Sequence, residues 1–225
     1  MEYILQAAYL SDRFNLVYYD LETTGLETTT DRIYELAAIR LNRDGSQFSF
    51  ERLINPEQDL SEEWAQKVGI SPDEPRLKGV AAAEALREFI SFSTGAVLVG
   101  HNILRFDNPL LTAELSRHGL PDLPQSATTP PHFIDTFRMA EKLLGRWFDN
   151  GDRDWGFGGP RTFSLENVAK HLKVEYDSAH LHHAMADCKM SMAVHQLLQP
   201  RVDKAMAKIR DQSETDSYPA LGRPR

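Results

Sequence analysis

The segment NLVYYDLETTG, residues 15–25, decides the fold and contains the first candidate site residues of the chain. Residues 15–21 form an apolar and aromatic run of strand length, and a Thr-Thr-Gly turn follows it. Asp20 and Glu22 therefore lie at the end of a predicted strand. Because they are two positions apart on a strand, their side chains lean to the same side and can share a cation. The alternative is a pair of carboxylates that water alone solvates.

More strands are predicted after this segment. Residues 33–41 and 47–54 flank the Asn-Arg-Asp-Gly sequence at 42–45, whose Asp-Gly step is a strong hairpin signal. Together with residues 15–21 they predict an antiparallel meander of three strands. Residues 96–99 are wholly apolar and lie between two glycines, which indicates a short strand buried on both faces.

Helix signals alternate with these strands. Capping residues, stop signals and apolar spacing predict helices over residues 80–91, 108–118, 136–144, 164–172 and 184–198, with a short helix after Ser61 and a helical piece over 201–210. Pro200 is expected to end the helix that starts at residue 184. Residues 121–131 and 145–161 are expected to be loops. The alternation predicts an α/β fold with a mixed central sheet, an antiparallel meander plus parallel strands, flanked by helices.

Length and composition indicate one main domain. A chain of 225 residues with 41% hydrophobic content can bury one sizeable core. We expect this domain over residues 15–212, an N-terminal extension over 1–14 and a disordered tail over 213–225. The single cysteine, Cys188, excludes an intramolecular disulfide and a cysteine-based zinc cluster, and we expect it to pack in the core. No stretch resembles a signal peptide or a membrane span, so we expect a soluble, cytoplasmic protein with no membrane partner.

The charge balance narrows the class of partner. Acidic residues outnumber basic ones 33 to 25, which gives a net charge of −8. That balance argues against a broad basic surface that coats nucleic acid. It is compatible with a site that grips a few nucleotides, because two bound divalent ions would add four positive charges at the site itself.

Three further fragments carry candidate site residues. They are Gly100-His101-Asn102, which leads to Phe106-Asp107; Phe133-Ile134-Asp135-Thr136; and His182-x-Ala184-x-x-Asp187, which opens the last strong helix. Phosphodiester hydrolysis with two divalent metals needs carboxylates that converge on one point and a base whose pKa is near neutrality. The chain supplies both kinds of residue at strand ends and helix starts.

In this order and at these separations, the fragments resemble those of the DnaQ-like 3′→5′ exonucleases of the DEDDh type, which are named for four acids and a histidine. The resemblance covers residues 16–198 and implies a ribonuclease H-like fold. One feature departs from the commoner family pattern, because three residues rather than two separate Asn102 from Phe106. The departure leaves open how His101 and Asn102 face a substrate.

The resemblance also implies a two-metal site. The expected ions are two Mg²⁺ or Mn²⁺, held by Asp20, Glu22, Asp107 and Asp187, and the expected general base is His182. The expected partner is a single-stranded 3′ end of DNA, with RNA as the alternative, and the expected products are nucleoside 5′-monophosphates. The residues expected to contact the strand are Thr23, Thr24, Gly25, Leu26, His101, Asn102 and Phe106.

Several of these residues have a second interpretation. His180 and His183 lie beside His182, so a zinc site made of the three histidines is the competing hypothesis, although the nearby carboxylates favour magnesium or manganese. Asp107 can both cap a helix and bind a metal. Asp135 matches a family position too, but we expect it to be a helix cap.

Three classes of function stay open, namely a DNA exonuclease, an exoribonuclease of the same chemistry and a nucleic-acid-binding module without catalysis. The sequence does not fix what meets a 2′-hydroxyl, which separates the first two. The third class typically lacks an acid or the histidine, and all five residues are present here. Arg105 is a candidate phosphate contact, and the aromatic residues of 145–161 are candidates for base stacking. The tail from Ser213 is a candidate site for a polymerase or another protein partner.

Overall fold

A computed structural model describes residues 2–122, 133–149, 163–176 and 183–216 of the chain. Within these ranges the strands are β1 Asn15–Thr23, β2 Ile33–Leu41, β3 Gln47–Asn55, β4 Val80–Ala81, β5 Ala96–Gly100 and β6 Phe133–Asp135. The helices are α1 Glu2–Arg13, α2 Glu62–Val68, α3 Glu74–Lys78, α4 Ala82–Ser93, α5 Asp107–Arg117, α6 Thr136–Asp149, α7 Leu165–Leu172 and α8 Ala184–Asp216.

The strands form one mixed sheet in the order β4-β3-β2-β1-β5-β6. β1, β2 and β3 pair antiparallel, as the Asp-Gly hairpin signal predicts. β5 joins β1 in parallel, and β6 joins β5 in parallel. The predicted fold class is therefore confirmed, and the short strand β4 and helices α1 and α3 are additions that the sequence did not indicate.

Helices cover both faces of the sheet, which explains why β1 is apolar or aromatic from Leu16 to Tyr19. Tyr18 points into a core formed with α1, α6, α7 and α8, whereas Val17 and Tyr19 point into a second core formed with α4 and α5. Because side chains alternate along a strand, a strand covered on both faces needs an apolar residue at each position. Among the described residues, no helix has the length and apolarity that crossing a bilayer requires.

The segment assigned above to an N-terminal extension packs on the domain. On α1, Ile4 and Leu10 are buried in the first core. The Ser11 hydroxyl lies 3.2 Å from Nε2 of His195 on α8, and Nδ1 of the same ring lies 2.8 Å from the Tyr18 hydroxyl. This buried polar contact ties α1 to β1 and α8.

The expected end of the last helix at Pro200 is wrong. α8 runs through the proline to Asp216, so residues 213–216 of the expected tail are helical, and residues 217–225 lie outside the described part of the chain. A proline removes one backbone hydrogen bond from a helix interior. Here Leu198 and Val202, on either side of it, are both buried in the first core. Tertiary packing therefore holds the helix together across the local break.

The expected start of the long loop at residue 145 also changes. α6 continues to Asp149, so the first five positions of the 145–161 segment are helical, and residues 150–161 lie outside the described residues. Most of the predicted loop at 121–131 also lies outside the described residues.

Both predicted serine caps are confirmed, since Ser61 Oγ accepts from the Trp64 N–H and Ser164 Oγ from the Asn167 N–H.

Candidate active site

Acidic side chains from three distant parts of the chain meet in one cleft. Asp20 and Glu22 come from β1, Asp107 is the first residue of α5, and Asp187 lies in the first turn of α8. Carboxylate oxygens of Asp20, Glu22 and Asp187 all lie within 4.8 Å of one another. The cleft has a volume of about 400 Å³ and is lined by Asp20, Leu21, Glu22, Thr23, Gly25, Leu26, Trp64, His101, Asn102, Phe106, Asp107 and Asp187.

The carboxylates resist ionisation in this arrangement. Burial raises the pKa of Asp107 to about 7, and the charges of Asp135 and Asp187 add to the shift. Burial and the charge of Glu166 raise the pKa of Asp187 to about 6. The pKa of Asp20 also lies well above its ordinary value, because the group is buried and faces Asp107 and Glu22. An ionised cluster of this kind needs positive charge beside it.

The acid cluster fits a hard divalent cation. Asp187 Oδ1 is buried and has no hydrogen-bond partner within the described residues, so it retains a free acceptor. Converging carboxylate oxygens are the ligands that Mg²⁺ and Mn²⁺ prefer. Asp20, Glu22 and Asp187 are thus placed to hold one ion, and Asp107 lines the same cleft.

Asp135 organises the loop that leads to Asp107. Its Oδ1 accepts from the Phe137 N–H at 3.0 Å, which confirms the predicted helix cap on α6. The same oxygen accepts from the Asn102 N–H at 2.8 Å, and Oδ2 accepts from the Leu104 N–H at 3.3 Å. One carboxylate therefore fixes both the start of α6 and the turn after β5. The second role was not evident from the sequence.

The ring of His101 is held by the protein on both sides. Nδ1 lies 2.8 Å from the Thr136 hydroxyl and Nε2 lies 2.6 Å from the Phe163 carbonyl oxygen. Burial lowers its pKa to about 4, so the imidazole is neutral near pH 7. Asn102 adopts a left-handed conformation with φ of 63°, and its buried Oδ1 has no hydrogen-bond partner among the described residues. Both ring nitrogens of His101 therefore have protein partners, whereas Oδ1 of Asn102 is available to a ligand.

The turn after the acids is built around Asp31. Its carboxylate accepts from the Thr24 hydroxyl and from the Glu27 N–H, at 3.1 and 2.7 Å. A Cβ at Gly25 would lie 2.5 Å from Asp31 Oδ2, so a larger residue would displace this carboxylate from its hydrogen bonds. Leu26 follows on the cleft rim with 77% of its surface exposed. Thr23, Gly25 and Leu26 thus line the cleft, and their contacts with a nucleic-acid strand stay a prediction.

The general-base prediction for His182 falls outside the described residues, as does His180. The neighbouring His183 is described, and its Nδ1 lies 4.0 Å from Glu35 Oε2. Cys188 is buried and its thiol donates to the Ala37 carbonyl oxygen at 3.2 Å. The predicted core role of Cys188 is therefore confirmed, and the contact brings α8 onto β2 beside the acids.

Glu35 lies beside the acid cluster, a position that sequence reasoning missed. It pairs with Glu22 across β1 and β2, and its carboxylate accepts a hydrogen bond from the N–H of Ala184, the first residue of α8. Burial and the charge of Glu51 raise its pKa to about 7. The signal for it was an acid at an inward position of the otherwise apolar run IYELAAI, residues 33–39. The Glu35 carboxylate therefore helps to hold the start of α8, the helix that carries Asp187.

The sheet order, the two helical layers and the acid-lined cleft at the end of β1 define a class of protein, the ribonuclease H-like α/β domains. Solved structures with the same fold include Exonuclease I of E. coli in complex with a dT13 oligonucleotide, with a TM-score of 0.70 and 23% identity. Another is the moderately thermophilic Exonuclease I from Methylocaldum szegediense, with a TM-score of 0.67 and 23% identity. The alignments cover 87% and 84% of this chain but only 43% and 42% of those chains.

The chain belongs to the exonuclease family, as a DnaQ-like 3′→5′ exonuclease domain of the DEDDh type. The RNase_T family model, described as Exonuclease, matches residues 17–195. The PolC-type DNA polymerase III of Lacticaseibacillus paracasei is 31% identical over 174 residues, and that of Latilactobacillus sakei is 32% identical over 174 residues. Each match covers 77% of this chain and 10% of the polymerase, so the chain spans about a tenth of the length of these relatives.

Proposed function

We propose that this chain hydrolyses single-stranded DNA from its 3′ end and releases nucleoside 5′-monophosphates in a reaction that needs two divalent ions. The observation that carries the proposal is the convergence of Asp20, Glu22 and Asp187 within 4.8 Å, beside Asp107, in a chain of the exonuclease family. Support for DNA comes from similar proteins, since one solved neighbour is in complex with a dT13 oligonucleotide and the relatives are DNA polymerases.

The acid cluster has a defined task in this reaction. Asp20, Glu22 and Asp187 would hold one ion, and Asp20 and Asp107 would hold the second. Bound in such a pair, divalent ions stabilise both the attacking and the leaving oxygen of an in-line displacement. Because burial and mutual repulsion raise the pKa values of these acids, cation binding and carboxylate ionisation support each other.

His182 takes the proton of the attacking water in this proposal. It comes two positions before the first residue of α8 and five positions before Asp187, the spacing that belongs to the family's histidine. An imidazole titrates close to neutral pH, which suits a general base. The competing zinc site would need His180 and His183 as well as His182.

The strand would be gripped by the cleft wall that faces the acids. The turn at Thr23, Thr24 and Gly25 offers backbone groups to the terminal nucleotide, while Leu26 and Phe106 offer apolar surface to its base. Oδ1 of Asn102, which is buried and has no hydrogen-bond partner among the described residues, would be a further polar contact for the nucleotide.

The experiment that tests this proposal uses matched DNA and RNA strands labelled at either end, incubated with the purified chain and Mg²⁺ or Mn²⁺. We expect mononucleotides from the 3′ end of DNA from the start, slow attack on a 3′-phosphorylated strand, and no product in excess EDTA or from the Asp187→Asn variant. Faster loss of RNA would assign the chain to the exoribonucleases. Rapid cutting of a circular single strand, or activity that survives EDTA, would contradict the proposal.

A further inference from the structure

An indole ring forms part of the wall of the cleft that contains the acids. Trp64 lies in the first turn of α2, where Ser61 caps the helix, and its side chain lines the same cleft as Asp20 and Asp187. The ring is half-buried, so part of it packs on the protein and part faces the cleft. The segment that carries Trp64 is neither one of the sheet strands nor one of the helices of the two main cores.

A hydrogen-bond chain links this indole to a metal-ligand candidate. Trp64 Nε1–H donates to the Tyr34 hydroxyl oxygen at 3.3 Å. The Tyr34 hydroxyl in turn donates to the Glu22 carboxylate. Tyr34 is only 1% exposed, so its hydroxyl is shielded from water. The two hydrogen bonds therefore join Trp64 to Glu22 through a buried group.

A β-bulge places Tyr34 where it can make both contacts. Glu22 pairs with Glu35 and Thr23 pairs with Ile33, so Tyr34 is the extra residue between two paired positions of β2. A bulge of this kind re-aims the side chain of the bulged residue. Tyr34 packs with Leu60 and other residues in a third, small core beneath α2, against which Trp64 also packs.

We propose that Trp64 is a base-contacting residue of the nucleotide-binding cleft, and that Tyr34 is a positioning residue that fixes the indole to the metal-binding end of the site through Glu22. The inference rests on the proposed function and names a substrate-binding residue within it. Every base presents a π-face, so stacking on an aromatic side chain is tolerant of sequence. With its N–H held by Tyr34, the indole keeps one orientation, and binding a base then costs less conformational entropy.

The hydrogen bond from Tyr34 to Glu22 should also affect how the acid cluster binds a metal ion. Glu22 is one of three carboxylates within 4.8 Å of one another, and the Tyr34 hydroxyl is a donor that fixes its orientation. Partners that orient a metal-binding carboxylate are typically worth 10–100-fold in metal affinity or activity. Tyr34→Phe should therefore weaken the binding of Mn²⁺ alone, measured by calorimetry without any nucleic acid, whereas Trp64→Phe should leave Mn²⁺ binding close to that of the unmodified chain.

The test of stacking measures the affinity for a fluorescent oligothymidylate in the Asp187→Asn background, where the strand is bound but not cut. Because alanine substitution of a stacking residue costs on the order of 1–3 kcal/mol, Trp64→Ala should weaken binding about 5- to 150-fold. Trp64→Phe keeps a ring and should retain most of the affinity. On an otherwise identical strand with abasic nucleotides at its 3′ end, the variants and the parent should bind alike.

Two controls separate stacking from packing. Leu60→Val perturbs the same small core at a buried residue that is not part of the cleft lining, and Trp64→Leu keeps apolar bulk without an aromatic ring. Urea unfolding of each variant checks that it is folded. Equal loss of affinity in Trp64→Ala and Leu60→Val, or a loss that persists on the abasic strand, would overturn the inference. An unmodified chain without exonuclease activity would instead contradict the proposed function, so the two failures are distinguishable.

Discussion

Neutralising Asp107 should stabilise the metal-free protein, and increasingly so at higher pH. Asp107 is only 3% exposed. Burial raises the pKa of its carboxyl from 3.8 to about 7, and the charges of Asp135 and Asp187 add to the shift. Between these two pKa values the native state binds more protons than the unfolded state. The free energy of unfolding therefore falls as the pH rises through this window. In Asp107→Asn there is no proton to lose, so this part of the decline disappears.

The size of the effect follows from the two pKa values. A difference between 3.8 and about 7, at about 1.4 kcal/mol per pKa unit, makes ionised Asp107 cost on the order of 4 kcal/mol. Near pH 5 the Asp107 carboxyl is protonated in most native molecules, and it lowers the free energy of unfolding by about 1–2 kcal/mol. Near pH 8 this loss is close to its full value. The stability advantage of Asp107→Asn should therefore grow by about 3 kcal/mol between these pH values.

Urea unfolding in EDTA at the two pH values measures this growth directly. Effects of the substitution that do not depend on pH cancel when the two stability differences are subtracted. Asp12→Asn, at an exposed position on α1, is the matched control and should show no such growth. Added Mg²⁺ should stabilise the unmodified chain more than the variant. A stability difference that is flat with pH, or one that falls, would refute the account of the acid cluster given above.

Three further predictions concern single residues. His182→Ala should lower the single-turnover rate by roughly 10²–10⁴-fold with little change in substrate binding, while His183→Ala should change the rate little; metal loss from both variants would favour the zinc alternative. Glu35→Ala removes the hydrogen-bond acceptor at the start of α8 and should lower the single-turnover rate about 10- to 100-fold. Glu35→Gln keeps an acceptor and should recover most of the rate. Equal rates in the two variants would argue against a positioning role for Glu35. Gly100→Ala places a Cβ 2.8 Å from the Tyr19 carbonyl oxygen and 2.4 Å from Ile103 Cγ2, so urea unfolding should report a loss of about 1–3 kcal/mol; unchanged stability would show that the chain relaxes there.

The sequence by itself determined most elements of the fold, although not α1, α3 or β4, and the chemical type of the site. The alternation of apolar runs with capped helices predicted the meander, β5 and the acids at the ends of strands and starts of helices. These features depend on local physics, since strand and helix periodicity, turn residues and caps act over a few positions. The order of Asp20, Glu22, Asp107 and Asp187 along the chain likewise needed no structure to predict the family, which the family match confirms.

The tertiary structure alone decided how side chains far apart in sequence meet. Register placed Glu35 against Glu22 and at the start of α8, and the bulge at Tyr34 linked Trp64 to the acids. Packing on both sides of Pro200 carried α8 past a residue that ends most helices. Contacts of this kind arise from strand pairing and burial between distant segments. No local pattern encodes them, because each depends on where the rest of the chain has already been placed.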